Sequence, residues 1–141
     1  MRTTALKDKY TDEYGAVAAW GCIFSQNDGE YNELLNEAKK FGDIFEETPT
    51  GPKFFLHEPI GRTIKVLKIR KPDPSWPERG DVDFTVSNYG AFKEKHLNDK
   101  HFKLIPRDTF EMIELTEPAA TVRVYFSNPP IEKQYTSFFG K

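Results

Sequence analysis

The sequence predicts an α+β fold made of two tandem βαβββ units. One motif occurs twice: Glu58-Pro59 followed by Thr63-Ile64-Lys65-Val66 is matched by Glu117-Pro118 followed by Thr121-Val122-Arg123-Val124. The likeness extends upstream at offsets of 61 or 62 residues, where Ser25, Gly29, Tyr31 and Phe41 correspond to Ser87, Gly90, Phe92 and Phe102. A proline-rich stretch at 72–80 separates the two copies. Duplication of one supersecondary unit explains these observations together.

The first unit is assigned to residues 16–71. Its short apolar run at 16–25 predicts a buried strand that ends at turn-forming residues. A helix follows, since Asn27 and Glu30 form a capping pair and an apolar stripe recurs at helical spacing. The members of that stripe are Tyr31, Leu34, Leu35, Ala38 and Phe41. Turn residues then separate three further strands, predicted at 43–47, 52–57 and 62–70.

The second unit is assigned to residues 81–126. Polar and apolar residues alternate at 81–86, which predicts a half-buried strand. Ser87-Asn88 then caps a helix predicted at 89–99. Three strands complete the unit, at 102–107, 109–115 and 121–126. The connector at 72–80 contains three prolines and is predicted to be stiff and extended.

The two ends of the chain differ from these units. Residues 1–15 are polar and without clear periodicity, which predicts an N-terminal arm of low order. Residues 127–141 form a C-terminal tail that carries Tyr135, Phe138 and Phe139. So short a tail cannot bury three rings by itself, so we expect them to pack on the domain or to form a homodimer.

Composition limits the possible classes of function. The chain has 141 residues, which suits a single domain, and its one cysteine excludes an intramolecular disulfide. Because the formal net charge is −2, no global electrostatic attraction to nucleic acid or to an anionic membrane is expected. No apolar run approaches the roughly 20 residues that cross a bilayer. We expect a cytoplasmic protein that binds neither nucleic acid nor membrane.

The repeat resembles the vicinal oxygen chelate superfamily, which includes glyoxalase I, the fosfomycin resistance enzymes, extradiol dioxygenases and bleomycin-binding proteins. The resemblance covers residues 16–126 and rests on unit order, unit length and a hairpin pattern. Glu58-Pro59-Ile60-Gly61 and Glu117-Pro118-Ala119-Ala120 look like variants of the Asp-Pro-x-Gly hairpin of that family. The resemblance implies that the two units pair their sheets into a cup that holds the functional site.

The resemblance also allows the metal-ligand positions of the family to be compared with this sequence. Metalloenzymes of the family take His or Glu ligands from the first and fourth strands of each unit. The fourth-strand glutamate corresponds to Lys65 and Arg123 here, and the first-strand histidine to Ala19 and Asp81. A cation at a ligand position repels a metal ion. Even if Asp83 or Glu114 is enlisted, three or four ligands do not assemble, so we expect no metal and no cofactor.

The same positions suggest a different site. Lys65 or Arg123 directed into the cup, with Asp81 or Asp83 as counter-ion, would bind a carboxylate or phosphate. Glu114 is included as a neighbouring acid. The alternative is that these cations are exposed strand charges alternating with buried Ile64, Val66, Val122 and Val124.

The remaining reactive side chains give weaker signals. We expect His57, His96 and His101 to be exposed or capping residues, because their spacing does not place two imidazoles together. Cys22 lies in an apolar run, which is typical of a buried inert thiol. No glycine-rich phosphate loop occurs.

Three functions follow as hypotheses. The first is a protein without a metal that binds a small anionic or aromatic ligand in the cup, through Lys65, Arg123, Asp81, Asp83 and Glu114. The second is a metal-dependent lyase, isomerase or dioxygenase of the same superfamily. The third is a non-catalytic protein that associates with itself through its aromatic tail.

Overall fold

A computed structural model describes residues 2–130 of the chain. Within this range the protein has three helices and eight strands. Their bounds are α1 Arg2–Tyr10, β1 Val17–Phe24, α2 Asp28–Phe41, β2 Gly42–Thr48, β3 Gly51–Ile60, β4 Ile64–Arg70, β5 Gly80–Thr85, α3 Tyr89–His96, β6 Phe102–Pro106, β7 Glu111–Leu115 and β8 Val122–Asn128.

All eight strands form one mixed sheet in the order β2-β3-β4-β1-β5-β8-β7-β6. The first strand of each unit pairs in parallel with the fourth strand of that unit, β1 with β4 and β5 with β8. The two units join where β1 and β5 pair antiparallel at the centre of the sheet. The α+β fold and the two paired βαβββ units are therefore confirmed, in a sheet that is open and uncurled.

The two faces of the sheet carry different side chains because strand residues alternate between them. One face packs against the three helices and holds most of the apolar core, including Phe84 and Phe126 in the second unit and Phe54 and Ile69 in the first. We call it the helix face. The opposite face carries no helix among the described residues, and we call it the groove face.

Helix α2 follows from its sequence as predicted. The side chain of Asn27 accepts a hydrogen bond of 2.8 Å from the backbone N–H of Glu30, and Glu30 Oε1 accepts one from the backbone N–H of Gln26. The apolar stripe of the helix packs against Phe54 and Ile69. In the second unit, Asn88 caps α3 in the same way, through the N–H of Ala91. This helix ends at His96, three residues before the predicted end.

The N-terminal segment differs from the expected arm, because residues 2–10 form helix α1. Its Leu6 is 5% exposed and belongs to the core cluster that contains Phe84 and Phe126. The Lys7 side chain is also buried, and its ammonium donates hydrogen bonds to Asp8 Oδ1 and to the carbonyl of Glu13. A single leucine and a buried lysine do not form an apolar stripe at helical spacing. The sequence of this segment therefore does not predict that it packs against the sheet as a helix.

The C-terminal boundary also differs from the expectation. Strand β8 continues through Ser127 and Asn128, which the sequence assigned to the tail. The aromatic residues Tyr135, Phe138 and Phe139 lie outside the described residues. No helix in the described range is long and apolar enough to cross a membrane.

The packing of α1 predicts that Leu6→Ala destabilises the protein by about 2–4 kcal/mol, because truncation leaves a cavity against the sheet. The exposed neighbour Ala5 provides a control, and Ala5→Ser should change the unfolding free energy by less than about 0.5 kcal/mol. Urea denaturation of the variants measures both quantities. Equal stability of Leu6→Ala and wild type would show that α1 does not contribute to the core.

The turn between β3 and β4 supports a second prediction. Gly61 has φ +59° and no neighbouring atom within 4 Å of an added Cβ, so substitution costs backbone strain alone. Gly61→Val should cost about 1–2 kcal/mol, since β-branched residues rarely adopt this conformation. Gly15→Val is the matched control, because Gly15 has equally open surroundings without a left-handed φ. If both variants show the same thermal midpoint, the strain argument is wrong.

Candidate functional site

The centre of the groove face brings reactive side chains into one row. Strand register aligns Lys68 on β4 with Cys22 on β1, Cys22 with Asp81 on β5, and Asp81 with Arg123 on β8. The four side chains lie on the same face of the sheet, because residues in register on neighbouring strands point in the same direction. Four strands from both units therefore contribute to a single line of ionisable groups.

A second row lies beside the first. Asp83 on β5 is in register with Trp20 on β1 and Tyr125 on β8, and Tyr125 is in register with Glu114 on β7. Four of the five predicted site residues thus lie on the groove face: Asp81, Asp83, Glu114 and Arg123.

The fifth predicted residue, Lys65, is placed elsewhere. It is not part of the row, because Lys68 is the β4 residue in register with Cys22. The repeat thus aligns Lys65 with Arg123 in sequence, but the structure does not bring the two cations into one row. Lys68, three residues further along β4, takes the place in the row that the repeat gives to Lys65.

Arg123 is the most heavily bonded group of the groove. Its Nε donates to Glu78 Oε1 at 2.7 Å and its Nη1 donates to Glu114 Oε2 at 2.9 Å. The Tyr125 hydroxyl donates to the same Glu114 oxygen at 2.7 Å. Burial disfavours the guanidinium charge, but the hydrogen bond to Glu78 and the charge of Glu114 outweigh it and raise the pKa of Arg123. The expected aspartate counter-ions are replaced by these two glutamates.

A cavity of about 520 Å³ opens beside Arg123. Strand β7, strand β8, the turn between them and the connector contribute its walls, which are Pro77, Glu78, Glu114, Thr116, Glu117, Pro118, Ala119, Ala120, Thr121 and Arg123. Glu78 Oε2 is buried and has no hydrogen-bond partner among the described residues. The charged groups that line the cavity are Arg123 and three carboxylates. Glu78 and Glu114 pair with Arg123, and Glu117 pairs with Lys9 outside the cavity.

Asp81 and Asp83 retain their protons up to about pH 7. Burial raises the pKa of each to about 7, and the Asp81 charge further raises the pKa of Asp83. Ser127 donates a short hydrogen bond to Asp83 Oδ2, whereas Asp83 Oδ1 is buried without a partner in the described range. Lys68 lies in the row of Asp81, and burial lowers the pKa of its ammonium group.

Trp76 is one of several groove residues that the sequence did not mark as candidates, together with Glu78, Lys68, Arg70 and Tyr125. The connector folds over the groove face and places this indole at Arg70 and Arg123, whose guanidinium carbons lie 4.3 and 4.1 Å from the ring centre. The Phe24 ring meets the indole edge-on, with 5.9 Å between centroids. One signal was available, since a tryptophan inside a polar, proline-rich connector is too apolar to remain in solvent.

No group of three or more His, Cys, Asp and Glu side chains in the described range is arranged to hold a metal ion. Cys22 is buried as expected, and burial raises the pKa of its thiol well above the usual value. The thiol is therefore protonated at neutral pH and a poor nucleophile or metal ligand.

None of the three histidines lines the cavity beside Arg123. His57 is exposed and pairs with Asp43 at 3.1 Å, and His101 pairs with Asp99 at 2.7 Å. His96 is buried, which corrects the expectation of an exposed or capping role. Its ring lies against Phe92 and Phe102, with centroid distances of 4.6 and 4.8 Å, and burial lowers its pKa.

Solved structures share this architecture. A structural-genomics protein, Protein EC4020, has a TM-score of 0.70 at 12% identity, over 94% of this chain and 83% of that one. A glyoxalase/bleomycin resistance protein/dioxygenase superfamily member from Vibrio splendidus 12B01 has a TM-score of 0.55 at 7% identity, over 79% of this chain and 97% of that one. No protein-family model and no curated protein matches the sequence. The likeness establishes the fold, which by itself does not determine chemistry.

The raised carboxyl pKa values predict that stability falls as pH rises. The folded protein retains protons on Asp81 and Asp83 up to about pH 7, whereas the unfolded chain releases them near 3.8. Stability should thus decrease between about pH 4 and 7 and level off above. Asp83→Asn removes one ionisation and should stabilise the protein at pH 8 by up to about 4 kcal/mol.

Urea denaturation at pH 5, 6, 7 and 8 measures this dependence. Asp108→Asn, at an exposed turn position, is the control and should follow the wild-type profile. An Asp83→Asn variant with the wild-type pH dependence would show that this carboxyl is charged in the folded protein.

Proposed function

We propose that this chain, which has the fold of the glyoxalase/bleomycin resistance/dioxygenase superfamily, binds a small anionic or aromatic molecule on its groove face at Arg123. The binding requires no metal ion. The observation that supports this proposal is the cavity of about 520 Å³ beside a half-buried arginine. That volume lies in the range of small-molecule sites, which are commonly about 300–1,000 Å³.

Arginine suits the recognition of an anion. Its planar guanidinium offers several N–H donors to a carboxylate or phosphate, and its face stacks on aromatic rings. Both modes are already used at Arg123, by Glu78 and Glu114 along its edge and by Trp76 at its face. The side chain is therefore oriented for both kinds of contact before any ligand arrives.

The two glutamates differ in how firmly they are held. Glu114 lies on β7, inside the sheet, and Tyr125 fixes its oxygen. Glu78 lies on the connector, outside any strand, and one of its oxygens has no partner in the described range. An anionic ligand therefore replaces Glu78 at less cost than Glu114.

Partners and location follow the same electrostatic reasoning. The net charge of −2 supports neither a nucleic-acid nor a membrane partner, and we place the protein in the cytoplasm. A homodimer formed by the aromatic tail at 131–141 remains part of the proposal. Light scattering of the chain truncated after residue 130 addresses it, and an unchanged molar mass would exclude that role for the tail.

Ligand binding is tested by thermal unfolding with phosphate, acetate, benzoate and phenol as probes. A ligand at about ten times its dissociation constant adds roughly 1.4 kcal/mol, which raises the midpoint by about 3–5 °C. We expect an anion or an arene to raise the wild-type midpoint, and Arg123→Met to abolish the rise. Lys39→Met removes an exposed cation on α2, at the opposite face of the sheet, and should retain it.

The metal requirement is tested in the same assay. Pretreatment with a chelator should leave the ligand-dependent rise unchanged. A rise that disappears after chelation and returns with a transition metal would support the metalloenzyme hypothesis and contradict the proposal. A rise that survives Arg123→Met would place binding elsewhere.

A further inference from the structure

Building on the proposed function, we infer that the ligand is an arylalkanoic acid, a flat aromatic ring with a carboxylate on a short arm. It replaces the Trp76 ring and the Glu78 carboxylate at Arg70 and Arg123. The connector at 72–78 then acts as an internal ligand that covers the site until the external one displaces it.

The ring position is defined by contacts from both sides of the groove. Arg70 belongs to β4 and Arg123 to β8, two strands that β1 and β5 separate, and both guanidinium groups lie over the Trp76 ring. Phe24 on β1 supplies an edge-on aromatic contact below it. Two cations and one aromatic edge thus contact the Trp76 ring, an arrangement that suits an electron-rich flat ring.

The carboxylate position is defined by the same arginine. Glu78 Oε1 lies 2.7 Å from both Nε and Nη2 of Arg123. The guanidinium thus has an aromatic ring at its face and a carboxylate at its edge, and the two groups come from residues only two positions apart. A single small molecule that carries both groups reproduces both contacts.

The attachment of the connector allows displacement. At its ends, the backbone N–H of Lys71 donates to the Thr50 carbonyl at 2.8 Å and that of Arg79 donates to the Thr121 carbonyl at 2.6 Å. Between these anchors, the backbone N–H of Trp76 bonds only within the connector, to Asp73. Among the described residues, contacts of the connector with the sheet come chiefly from the Trp76 and Glu78 side chains.

Two weaker contacts also hold the connector to the sheet and to the segment that follows β1. Arg70 approaches Asp73 at 3.9 Å, and the Gln26 side chain donates to the Glu78 carbonyl at 3.2 Å. The first is an ion pair at the limit of contact distance, and the second uses a backbone carbonyl of the connector. Loss of the Trp76 and Glu78 contacts therefore releases the covering segment while its anchors at Lys71 and Arg79 remain.

The charge balance after displacement favours an acid over a base. Without Glu78, the groove presents Arg70, Arg123 and Lys68 to the ligand, against Glu114, Asp81 and Asp83. Burial raises the pKa of both aspartates to about 7, so they carry little charge below that pH. Glu114 is already paired with Arg123 and Tyr125. The uncovered groove therefore attracts a carboxylate and repels an ammonium group.

The inference is tested with Trp76→Ala/Glu78→Ala, which removes both internal groups, and with indole-3-propionate as probe. Isothermal titration calorimetry should show binding at least about tenfold tighter to this variant than to wild type, because no internal group competes. Indole and propionate alone should each bind at least about tenfold more weakly than indole-3-propionate. Tryptamine, which joins the same ring to an ammonium group, should not bind.

Arg123→Met, added to the Trp76→Ala/Glu78→Ala variant, removes the guanidinium group and should abolish binding of indole-3-propionate. Circular dichroism and urea denaturation establish that each variant is folded. Binding of indole-3-propionate no tighter than that of indole would overturn the inference, and so would equal affinity for wild type and the double variant.

A second measurement keeps the connector intact. In Trp20→Phe, Trp76 is the remaining tryptophan of the chain, and its fluorescence reports the indole at the two arginines. Addition of 3-phenylpropanoate, which does not absorb at the excitation wavelength for tryptophan, should shift the emission to the red as the indole enters solvent. Binding without any change in emission overturns displacement.

The outcomes separate this inference from the proposed function. A different anion or arene that binds wild type through Arg123 and leaves the Trp76 emission unchanged supports the proposed function and overturns the inference. Failure of every probe to bind either the wild type or the double variant overturns both.

Discussion

The antiparallel pairing of β1 with β5 is the contact on which the rest of this structure depends. It joins the two units into one sheet and places the first strand of each unit at the centre, flanked by its own fourth strand. Gly80 permits the close approach, because a Cβ there would lie 2.4 Å from the carbonyl oxygen of Cys22. Without this pairing, Lys68 and Arg123 would belong to separate sheets and the groove face would not exist.

The groove face carries several ionisable side chains that are buried or half-buried. Burial there raises the pKa of two aspartates and lowers that of Lys68, so its ionised groups are held at an energetic cost. Natural proteins commonly retain such arrangements at functional sites. The helix face, by contrast, is packed mainly with apolar side chains and contributes the stability that the groove face lacks.

The fold is shared with solved structures at very low sequence identity, which is the expected behaviour of a scaffold that hosts many activities. What distinguishes this chain is the set of groups at the centre of the sheet. Arg123 stands where the superfamily resemblance implies an acidic metal ligand, and the connector covers it with Trp76 and Glu78. Recognition by a guanidinium replaces metal coordination in the function we propose.

Local sequence by itself determined the element order, the capped helix α2, the duplication and the burial of Cys22, because these depend on periodicity and short-range hydrogen bonds. It also marked Asp81 and Arg123 as candidate residues, since they correspond to ligand positions in similar proteins, and Asp83 and Glu114 as acids near those positions. Only the tertiary structure decided that Lys68 and not Lys65 joins the row of ionisable groups, that α1 is a helix and that Trp76 reaches Arg123. Those three facts depend on strand register and on contacts between distant segments, which no local pattern encodes.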